Sequence, residues 1–261
     1  MKRPDAVAGR LCYVGEAWRD GPERVYAPMA EAIIARLPCL VGLSALDLGA
    51  GTGAAGVAMA RAGARVTAVD IAFGMLAFDA EQRPPCVVGD ARALPFFDCS
   101  FDVVLAAFSL NHLVDTTRGL TEARRVTRPG GYTIVAAYAS EDDHPVKAAV
   151  ATAMIELGWA PSPALTALRR RAMPRLATVE LAAAELAAAR LVGSVELRRV
   201  AIPELLPTDM IAWRTGMADF APFVTGLSVA DRKWLCRRAL ELLGPNPPTV
   251  IRSIILMTIA A

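Results

Sequence analysis

The strongest chemical signal in the chain is a glycine-rich stretch from Leu46 to Gly56, with the sequence Leu-Asp-Leu-Gly-Ala-Gly-Thr-Gly-Ala-Ala-Gly. The residues before its glycines predict a strand, and those after them predict a helix. Glycines at such a turn adopt positive φ angles and let a ligand touch the backbone, while the helix start offers unpaired N–H groups. The stretch therefore predicts a ligand site at a strand-to-helix turn.

Three carboxylates near this turn indicate what the ligand carries. Asp70 closes the next predicted strand, nineteen residues after Gly51, where a carboxylate can accept hydrogen bonds from both hydroxyls of a ribose. Asp90 follows the third predicted strand and can accept from an adenine amino group. Asp47 lies two residues before the first glycine. The sequence therefore predicts an adenosine-containing ligand.

A dinucleotide is the alternative ligand, because Gly51 to Gly56 followed by Asp70 also fits the pattern G-x-G-x-x-G plus an acidic residue. Asp47 argues against it, since its charge would repel a pyrophosphate and attract the ammonium group of an amino acid. A nicotinamide-dependent oxidoreductase therefore remains the alternative enzyme, and binding of a dinucleotide would reveal it.

The elements that position these residues follow a regular pattern between residues 44 and 138, where short apolar strands alternate with helices. This pattern predicts a parallel sheet flanked by helices. The predicted strands are 44–48, 65–70, 85–88, 101–107 and 131–138, and the predicted helices are 53–62, 73–81 and 117–127. Pro129-Gly130-Gly131 is expected to stop the last helix sharply.

The chain beyond residue 140 predicts mostly helices, with two further strands at Val195 to Ile202 and Ile251 to Ile259. The segments 145–176 and 204–243 are then helical insertions. All four tryptophans lie outside residues 44–138. Such aromatic side chains either wall a pocket or pack helices against the sheet.

Composition narrows the class of protein. With 54% hydrophobic and 21% charged residues, the chain is not disordered, and a net charge of +2 disfavours a protein that binds nucleic acid. No uncharged stretch reaches the roughly 20 residues of a membrane-spanning helix, and the N-terminus lacks the apolar stretch of a secretory signal. The five scattered cysteines signal no metal site. We expect a cytoplasmic protein with a small-molecule partner and no membrane or nucleic-acid partner.

Taken in order, these motifs resemble the class I S-adenosylmethionine-dependent methyltransferases, particularly the small-molecule branch similar to ubiquinone-biosynthesis methyltransferases. The resemblance covers about residues 40–138. It rests on five motifs: Leu46 to Gly53, Val69-Asp70-Ile71, Gly89-Asp90-Ala91 with Leu94-Pro95-Phe96, Phe101 to His112, and Arg128-Pro129-Gly130-Gly131. It implies an α/β fold with a Rossmann-like, doubly wound sheet of seven mostly parallel strands, an antiparallel last strand and helical cap insertions.

The resemblance also implies S-adenosyl-L-methionine as the cofactor and a role for each matching residue. It places Gly49, Ala50, Gly51 and Gly53 beneath the methionine part, Asp70 on the ribose, Ile71 and Met75 beside the adenine, Asp90 and Ala91 at the end of the adenine pocket, and Phe108 under the cofactor. Met75 also fits an ordinary position in a helix core.

His112 is the candidate catalytic residue, because it ends the loop after the fourth strand, where the methyl group points in similar enzymes. A neutral imidazole can take the proton of an alcohol or phenol. A wall of the pocket and a structural role are the alternatives. The candidate substrate contacts are Tyr13, Trp18, Tyr26 and Trp213, for which packing alone is the alternative. Asp142 or Asp143 before Pro145 predicts a helix start rather than a metal site.

The sequence thus predicts a helical cover segment at 1–43 and a methyltransferase domain at 44–261, whose insertions at about 145–176 and 204–243 form a substrate cap. The predicted function is transfer of a methyl group from S-adenosylmethionine to a small-molecule metabolite. Besides the oxidoreductase, a protein that binds S-adenosylmethionine without catalysis is an alternative. The oligomeric state is left open.

Overall fold

The structure is a computed structural model that describes residues 15–78 and 80–260. Its strands are β1 (Ser44–Leu48), β2 (Arg65–Asp70), β3 (Cys86–Val88), β4 (Phe101–Ala107), β5 (Thr127–Tyr138), β6 (Gly193–Ile202) and β7 (Val250–Ala260). They form one sheet in the order β3, β2, β1, β4, β5, β7, β6. Strand β7 pairs antiparallel with both β5 and β6, whereas the pairs from β3 to β5 are parallel. The predicted seven-stranded sheet with an antiparallel last strand is confirmed.

The α-helices in the described ranges lie on both faces of this sheet. They are α1 (Gly15–Asp20), α2 (Glu23–Ile34), α3 (Ala54–Arg61), α4 (Phe73–Ala77), α5 (Thr116–Val126), α6 (Pro145–Glu156), α7 (Pro163–Arg171), α8 (Val179–Ala188), α9 (Pro207–Thr215), α10 (Ala221–Gly226) and α11 (Val229–Leu243). Val103 and Leu105 of β4 belong to a buried cluster with α2, α3, α6, α9 and α11. Val104 and Ala106 face a second cluster with α5 and α8. Successive strand residues point to opposite faces, so β4 is buried from both sides.

The strand order reverses at β1 and β4, which lie side by side in parallel register. The chain leaves β1 toward β2 on one side and returns to β4 on the other. In such sheets the carboxyl ends of the two strands open a crevice for ligands. The glycine turn follows β1, and the loop that carries His112 follows β4, so both lie at this crevice.

The expected stop at Pro129-Gly130-Gly131 is wrong. Helix α5 ends earlier, at Val126, and the Pro-Gly-Gly sequence lies inside β5, opposite a register shift between Phe101 and Val103. A proline has no N–H to donate to the ladder, and an irregular stretch of strand accommodates it.

Helix α4 is shorter than the predicted 73–81. It ends at Ala77, and Phe78 has an extended backbone with φ −72° and ψ 129°. The reason lies in the side chain of Arg83, whose Nη1 donates to the carbonyl oxygens of Met75 at 2.7 Å and Phe78 at 3.3 Å. These carbonyls are thereby satisfied without another helical turn.

Both predicted insertions are largely helical. The first contains α6, α7 and a short 3-10 turn at Met173–Leu176, and the second contains α9, α10 and α11. Helix α6 begins at Pro145, as expected, but its cap is His144, whose Nδ1 accepts from the N–H of Val146 at 3.2 Å. The division into a cover segment and a capped domain stays a prediction. None of the helices among the described residues combines the length and apolar character needed to cross a membrane.

Candidate functional site

The glycine turn, residues 49–53, joins β1 to α3. Three of its glycines have a left-handed backbone, with φ 74° at Gly49, 55° at Gly51 and 99° at Gly53. Gly49 also passes close to the loop after β4, since a Cβ built on it would lie 2.2 Å from the Cβ of Ser109. Only glycine fits at this position, and the exposed backbone of the turn forms a cradle for a ligand.

Asp70 lies at the carboxyl end of β2, beside this turn. Its Oδ2 accepts from the N–H of Gly51 and its Oδ1 from the N–H of Ala72, both at 2.8 Å. Each carboxylate oxygen can accept a second hydrogen bond. The half-buried side chain can therefore hold the turn and still receive two hydroxyls, so the geometry permits the predicted ribose contact, which stays a prediction.

Asp47 is almost completely buried, with 1% of its surface exposed. Its Oδ2 accepts from the N–H of Gly56, in the first turn of α3, at 2.7 Å. Burial raises the pKa of this carboxyl to about 7, against the opposing effect of that hydrogen bond. The structure thus gives Asp47 a structural contact between β1 and α3, and its predicted attraction for an ammonium group stays a prediction.

Ile71 and Met75 lie on the side of the turn where adenine is expected. Ile71 is exposed, whereas Met75 is buried with Trp18, Ala72 and Ala221. The Cε of Met75 lies 3.5 Å from the position that a Cβ of Gly51 would occupy. Met75 is therefore a core residue that also borders the glycine turn.

Asp90 and the half-buried Ala91 follow β3, as expected. The carboxylate of Asp90 is engaged by Arg92, with Nη2 2.8 Å from Oδ2 and Nε 3.0 Å from Oδ1. The bonds from Arg92 lower the pKa of Asp90. Each oxygen thus accepts two hydrogen bonds from Arg92, so the predicted contact with an adenine amino group, which stays a prediction, would require Arg92 to give up one of them.

The loop after β4 begins in a strained conformation. Phe108 is buried and has a φ of 61°, a left-handed value that costs a non-glycine residue roughly 1–2 kcal/mol. The next residue, Ser109, donates from its Oγ to the carbonyl oxygen of Leu48 at 2.6 Å. Strain of this kind concentrates at functional sites. Here the strained residue directly precedes Ser109, which packs against Gly49 of the glycine turn.

His112 ends a short 3-10 turn, Leu110–His112, in the same loop. Its ring is open to solvent but lies among dense protein, and this partial burial lowers the pKa of the imidazole, against the opposing carboxylates of Asp219 and Asp70. The ring makes no hydrogen bond to another described residue, and an accessible, neutral imidazole is suited to accept a proton. Its catalytic role stays a prediction.

The aromatic residues predicted to contact the substrate come together beside this loop. The ring centroids of Trp18 and Tyr26 are 4.8 Å apart, and Tyr26 lies edge-on to Phe108 at 5.4 Å. Phe108 in turn stacks on Tyr138, at the end of β5, at 4.6 Å. These contacts place Trp18 and Tyr26 next to the crevice.

Trp213 is completely buried, and the guanidinium of Arg252 joins it to this aromatic group. The Cζ of Arg252 lies 4.5 Å from the centroid of Trp213 and 4.1 Å from that of Tyr138. Tyr13, the remaining predicted contact, lies outside the described residues.

The sequence did not indicate roles for three polar residues in the glycine turn, beside it and in the loop after β4. The Oγ1 of Thr52 and the Oδ1 of Asn111 are buried and have no hydrogen-bond partner among the described residues, and the Nη2 of Arg83 donates to the carbonyl oxygen of Gly51 at 2.9 Å. Thr52 lies inside the glycine motif and Asn111 precedes His112, so their positions were the available signals. Unpaired buried polar atoms beside a glycine cradle, with Asp70 at its edge, fit a cofactor with hydroxyl, amino and carboxylate groups.

Comparisons with known proteins match this geometry to a family. The model of a family described as "Methyltransferase domain" matches residues 46–135, which run from the glycine turn to β5. Residues 46–135 form a class I methyltransferase domain. For these residues the match confirms the predicted family, whose cofactor is S-adenosylmethionine.

The chain is also similar over part of its length to bacterial demethylmenaquinone methyltransferases. The demethylmenaquinone methyltransferase of Mycolicibacterium paratuberculosis is 38% identical over 136 residues, which are 52% of this chain. The chain spans only 58% of the length of that relative. A similar match in Mycolicibacterium gilvum, also a demethylmenaquinone methyltransferase, is 47% identical over 95 residues, 36% of this chain and 42% of the relative.

A solved structure shows that the fold extends beyond the methyltransferase domain. Phosphoethanolamine N-methyltransferase 2 of Haemonchus contortus, in complex with S-adenosyl-L-methionine, has a TM-score of 0.56 at 20% identity. The alignment covers 89% of this chain and 52% of that chain. At this identity the likeness concerns the fold.

Proposed function

We propose that this protein transfers a methyl group from S-adenosylmethionine to a small-molecule metabolite. The observation that carries the proposal is the glycine cradle at the β1–β4 crevice, with Asp70 at its edge and the loop of His112 beside it. The names of the curated relatives favour a quinone-like ring as the acceptor. The aromatic walls formed by Tyr26, Phe108 and Tyr138 suit such a flat molecule.

The chain's own residues divide the work between cofactor and acceptor. S-adenosylmethionine supplies a methyl group on a positively charged sulfonium. Asp70 would bind the ribose hydroxyls, while Met75 and Ile71 border the adenine side. Thr52 and Asn111 offer unpaired oxygens at the turn. Methyl transfer chiefly requires nucleophile and methyl group in line, and this rigid cradle serves that alignment.

On the acceptor side, His112 would remove the proton of a hydroxyl nucleophile. The lowered pKa keeps its imidazole neutral near pH 7, the state that a base needs. Trp18 packs both beside Met75 and against Tyr26, so α1 would separate the reacting groups from bulk water.

The proposal extends to the class of acceptor and to the location of the protein in the cell. A net charge of +2 and aromatic walls favour a small molecule over nucleic acid as the acceptor. We also propose a cytoplasmic location. A cofactor-binding protein without catalysis is the alternative that the test below separates.

A labelled-cofactor experiment tests the proposal. The protein is incubated with a bacterial metabolite extract and S-adenosylmethionine whose methyl group is trideuterated, and products are followed by mass spectrometry. We expect a metabolite that gains one labelled methyl group with the parent protein and gains far less with Asp70→Ala. If the parent binds S-adenosylhomocysteine but yields no labelled product from extracts of several bacteria, the non-catalytic alternative holds.

A further inference from the structure

Three buried side-chain N–H groups beside the crevice have no hydrogen-bond acceptor among the described residues: Nε1 of Trp213, Nε of Arg214 and Nη1 of Arg252. The half-buried Tyr138 lies against them, and its hydroxyl interacts with that of Tyr26. We call these four residues the donor cluster. They come from β5, α9 and β7. All four lie outside residues 46–135, the part of the chain that matches the methyltransferase domain, although β5 begins inside it.

Ring contacts show that the donor cluster is one site. The Cζ of Arg252 lies 4.1 Å from the ring centroid of Tyr138 and 4.5 Å from that of Trp213, and the Cζ of Arg214 lies 5.4 Å from the Trp213 ring. Tyr138 stacks on Phe108, which follows β4 directly. The cluster is therefore one ring away from the loop that touches the glycine turn.

The unpartnered atoms of the cluster require a hydrogen-bond acceptor. Indole and guanidinium N–H groups donate hydrogen bonds and cannot accept them. A buried donor without an acceptor costs about 1–3 kcal/mol, so folded proteins rarely retain several together without a use. The missing partner must therefore supply acceptor atoms.

The charges of the side chains around the donor cluster indicate that the missing partner is an anion. The carboxylate of Asp142 binds Nη2 of Arg252 at 2.6 Å and Nζ of Lys147 at 2.8 Å, so one negative charge already serves two positive ones. Arg214 adds a third cation and forms no ion pair with a described residue. The nearby Asp219 is engaged by Arg169 at 2.9 Å.

The surroundings of Arg214 make its positive charge unfavourable in the absence of an anion. Burial lowers the pKa of its guanidinium, and the neighbouring Arg252 lowers it further. An anion bound between the two guanidinium groups would offset both effects.

We propose that the donor cluster binds an anionic oxygen on the ring of the methyl acceptor, either a carboxylate or a phenolate. The inference rests on the proposed function, and it deepens that function by naming the acceptor as a planar oxyanion. The guanidinium edges and the Trp213 N–H supply the hydrogen bonds, while Tyr26 and Phe108 border the ring with apolar surface. Arg214 then determines specificity without contact to the cofactor.

Calorimetry with the protein saturated by S-adenosylhomocysteine tests the proposal. The probes are 2-naphthoate, its neutral amide 2-naphthamide, and 2-naphthol from pH 7 to about pH 9. We expect 2-naphthoate to bind at least about tenfold more tightly than the amide, as for hydrogen bonds to a charged group. Alternatively, 2-naphthol should bind more tightly as its hydroxyl ionises, which would identify the oxyanion as a phenolate.

Two variants show whether the donor cluster is responsible. Arg214→Gln should remove the preference for the anion, whereas Arg237→Gln, a loss of one exposed charge on α11, should retain it. Unchanged affinity of Arg214→Gln for S-adenosylhomocysteine shows that this variant is folded.

The outcomes separate this inference from the proposed function. Equal binding of 2-naphthoate and 2-naphthamide together with pH-independent 2-naphthol binding, or no binding of any probe, would overturn the inference while S-adenosylhomocysteine binding upholds the cofactor site. A preference for the anion that survives in Arg214→Gln would overturn it too. Failure to bind S-adenosylhomocysteine would instead contradict the proposed function.

Discussion

At the scale of single residues, two titratable groups at the crevice have ionisation states set by burial. The pKa of His112 is lowered, whereas that of Asp47 is raised to about 7. The sequence predicted both residues as functional from their places in motifs. It could not predict their pKa shifts, because these depend on atoms that other elements bring around them.

The proposed base role predicts the pH dependence of turnover. A base must be neutral, and burial lowers the pKa of His112, so turnover by the parent should be full at pH 7 and fall only below the ordinary histidine pKa of 6.5. His112→Ala should lower turnover by roughly 100- to 10,000-fold and leave affinity for S-adenosylhomocysteine unchanged. The measurement is turnover against pH for both proteins, with saturating cofactor. A small loss and an identical pH profile would make His112 a wall of the pocket.

Asp47 predicts how the stability of the fold depends on pH. Its pKa rises from 3.8 to about 7 on folding, so between these values the folded state binds more protons than the unfolded state. The free energy of unfolding should therefore fall as pH rises through this window, by at most about 1.4 kcal/mol per unit from this group. Asp47→Asn keeps an acceptor for the N–H of Gly56 and should show a flatter dependence. Denaturant unfolding of both proteins at pH 5 and pH 8 measures this, and parallel curves would contradict the stated cause.

Among the secondary-structure elements, the strands that could be predicted are those that the local sequence pattern determines. β1, β2 and β4 begin and end as predicted because they are short apolar runs buried on both faces. The end of α4 was not predictable, because the Arg83 side chain satisfies its last carbonyls from a later turn. The donor cluster was equally hidden, since Tyr138, Trp213 and Arg252 are distant in sequence and meet only in the fold.

The geometry of the glycine turn predicts that replacing Gly49 with alanine strongly destabilises the fold. Gly49→Ala would require φ near 74° and place its Cβ 2.2 Å from that of Ser109, so unfolding free energy should fall by about 3 kcal/mol or more. The matched control is Gly226→Ala at the end of α10, where an added Cβ meets nothing within 4 Å. Chemical denaturation compares the three proteins. Equal stability of Gly49→Ala and Gly226→Ala would contradict the described turn.

At the scale of the whole molecule, the proposed function divides the chain into a part that would hold the cofactor and a part that would shape the acceptor side. The methyltransferase domain at 46–135 supplies the turn, Asp70 and His112. The helices α1, α2 and α9 and the strand β7 supply Trp18, Tyr26, Arg214 and Arg252, which lie outside that match. The family and cofactor could therefore be predicted from motifs, whereas the proposed acceptor side depends on packing between distant segments.

If the proposed function is right, the crevice binds S-adenosylmethionine and not a dinucleotide. Calorimetric titration of the parent protein with S-adenosylhomocysteine and, separately, with NAD distinguishes the two ligands, with Asp70→Ala as the variant. We expect S-adenosylhomocysteine to bind, NAD not to bind, and Asp70→Ala to bind S-adenosylhomocysteine more weakly by about 1.5–3 kcal/mol, the range for hydrogen bonds to a charged group. Binding of NAD with no affinity for S-adenosylhomocysteine would contradict the account.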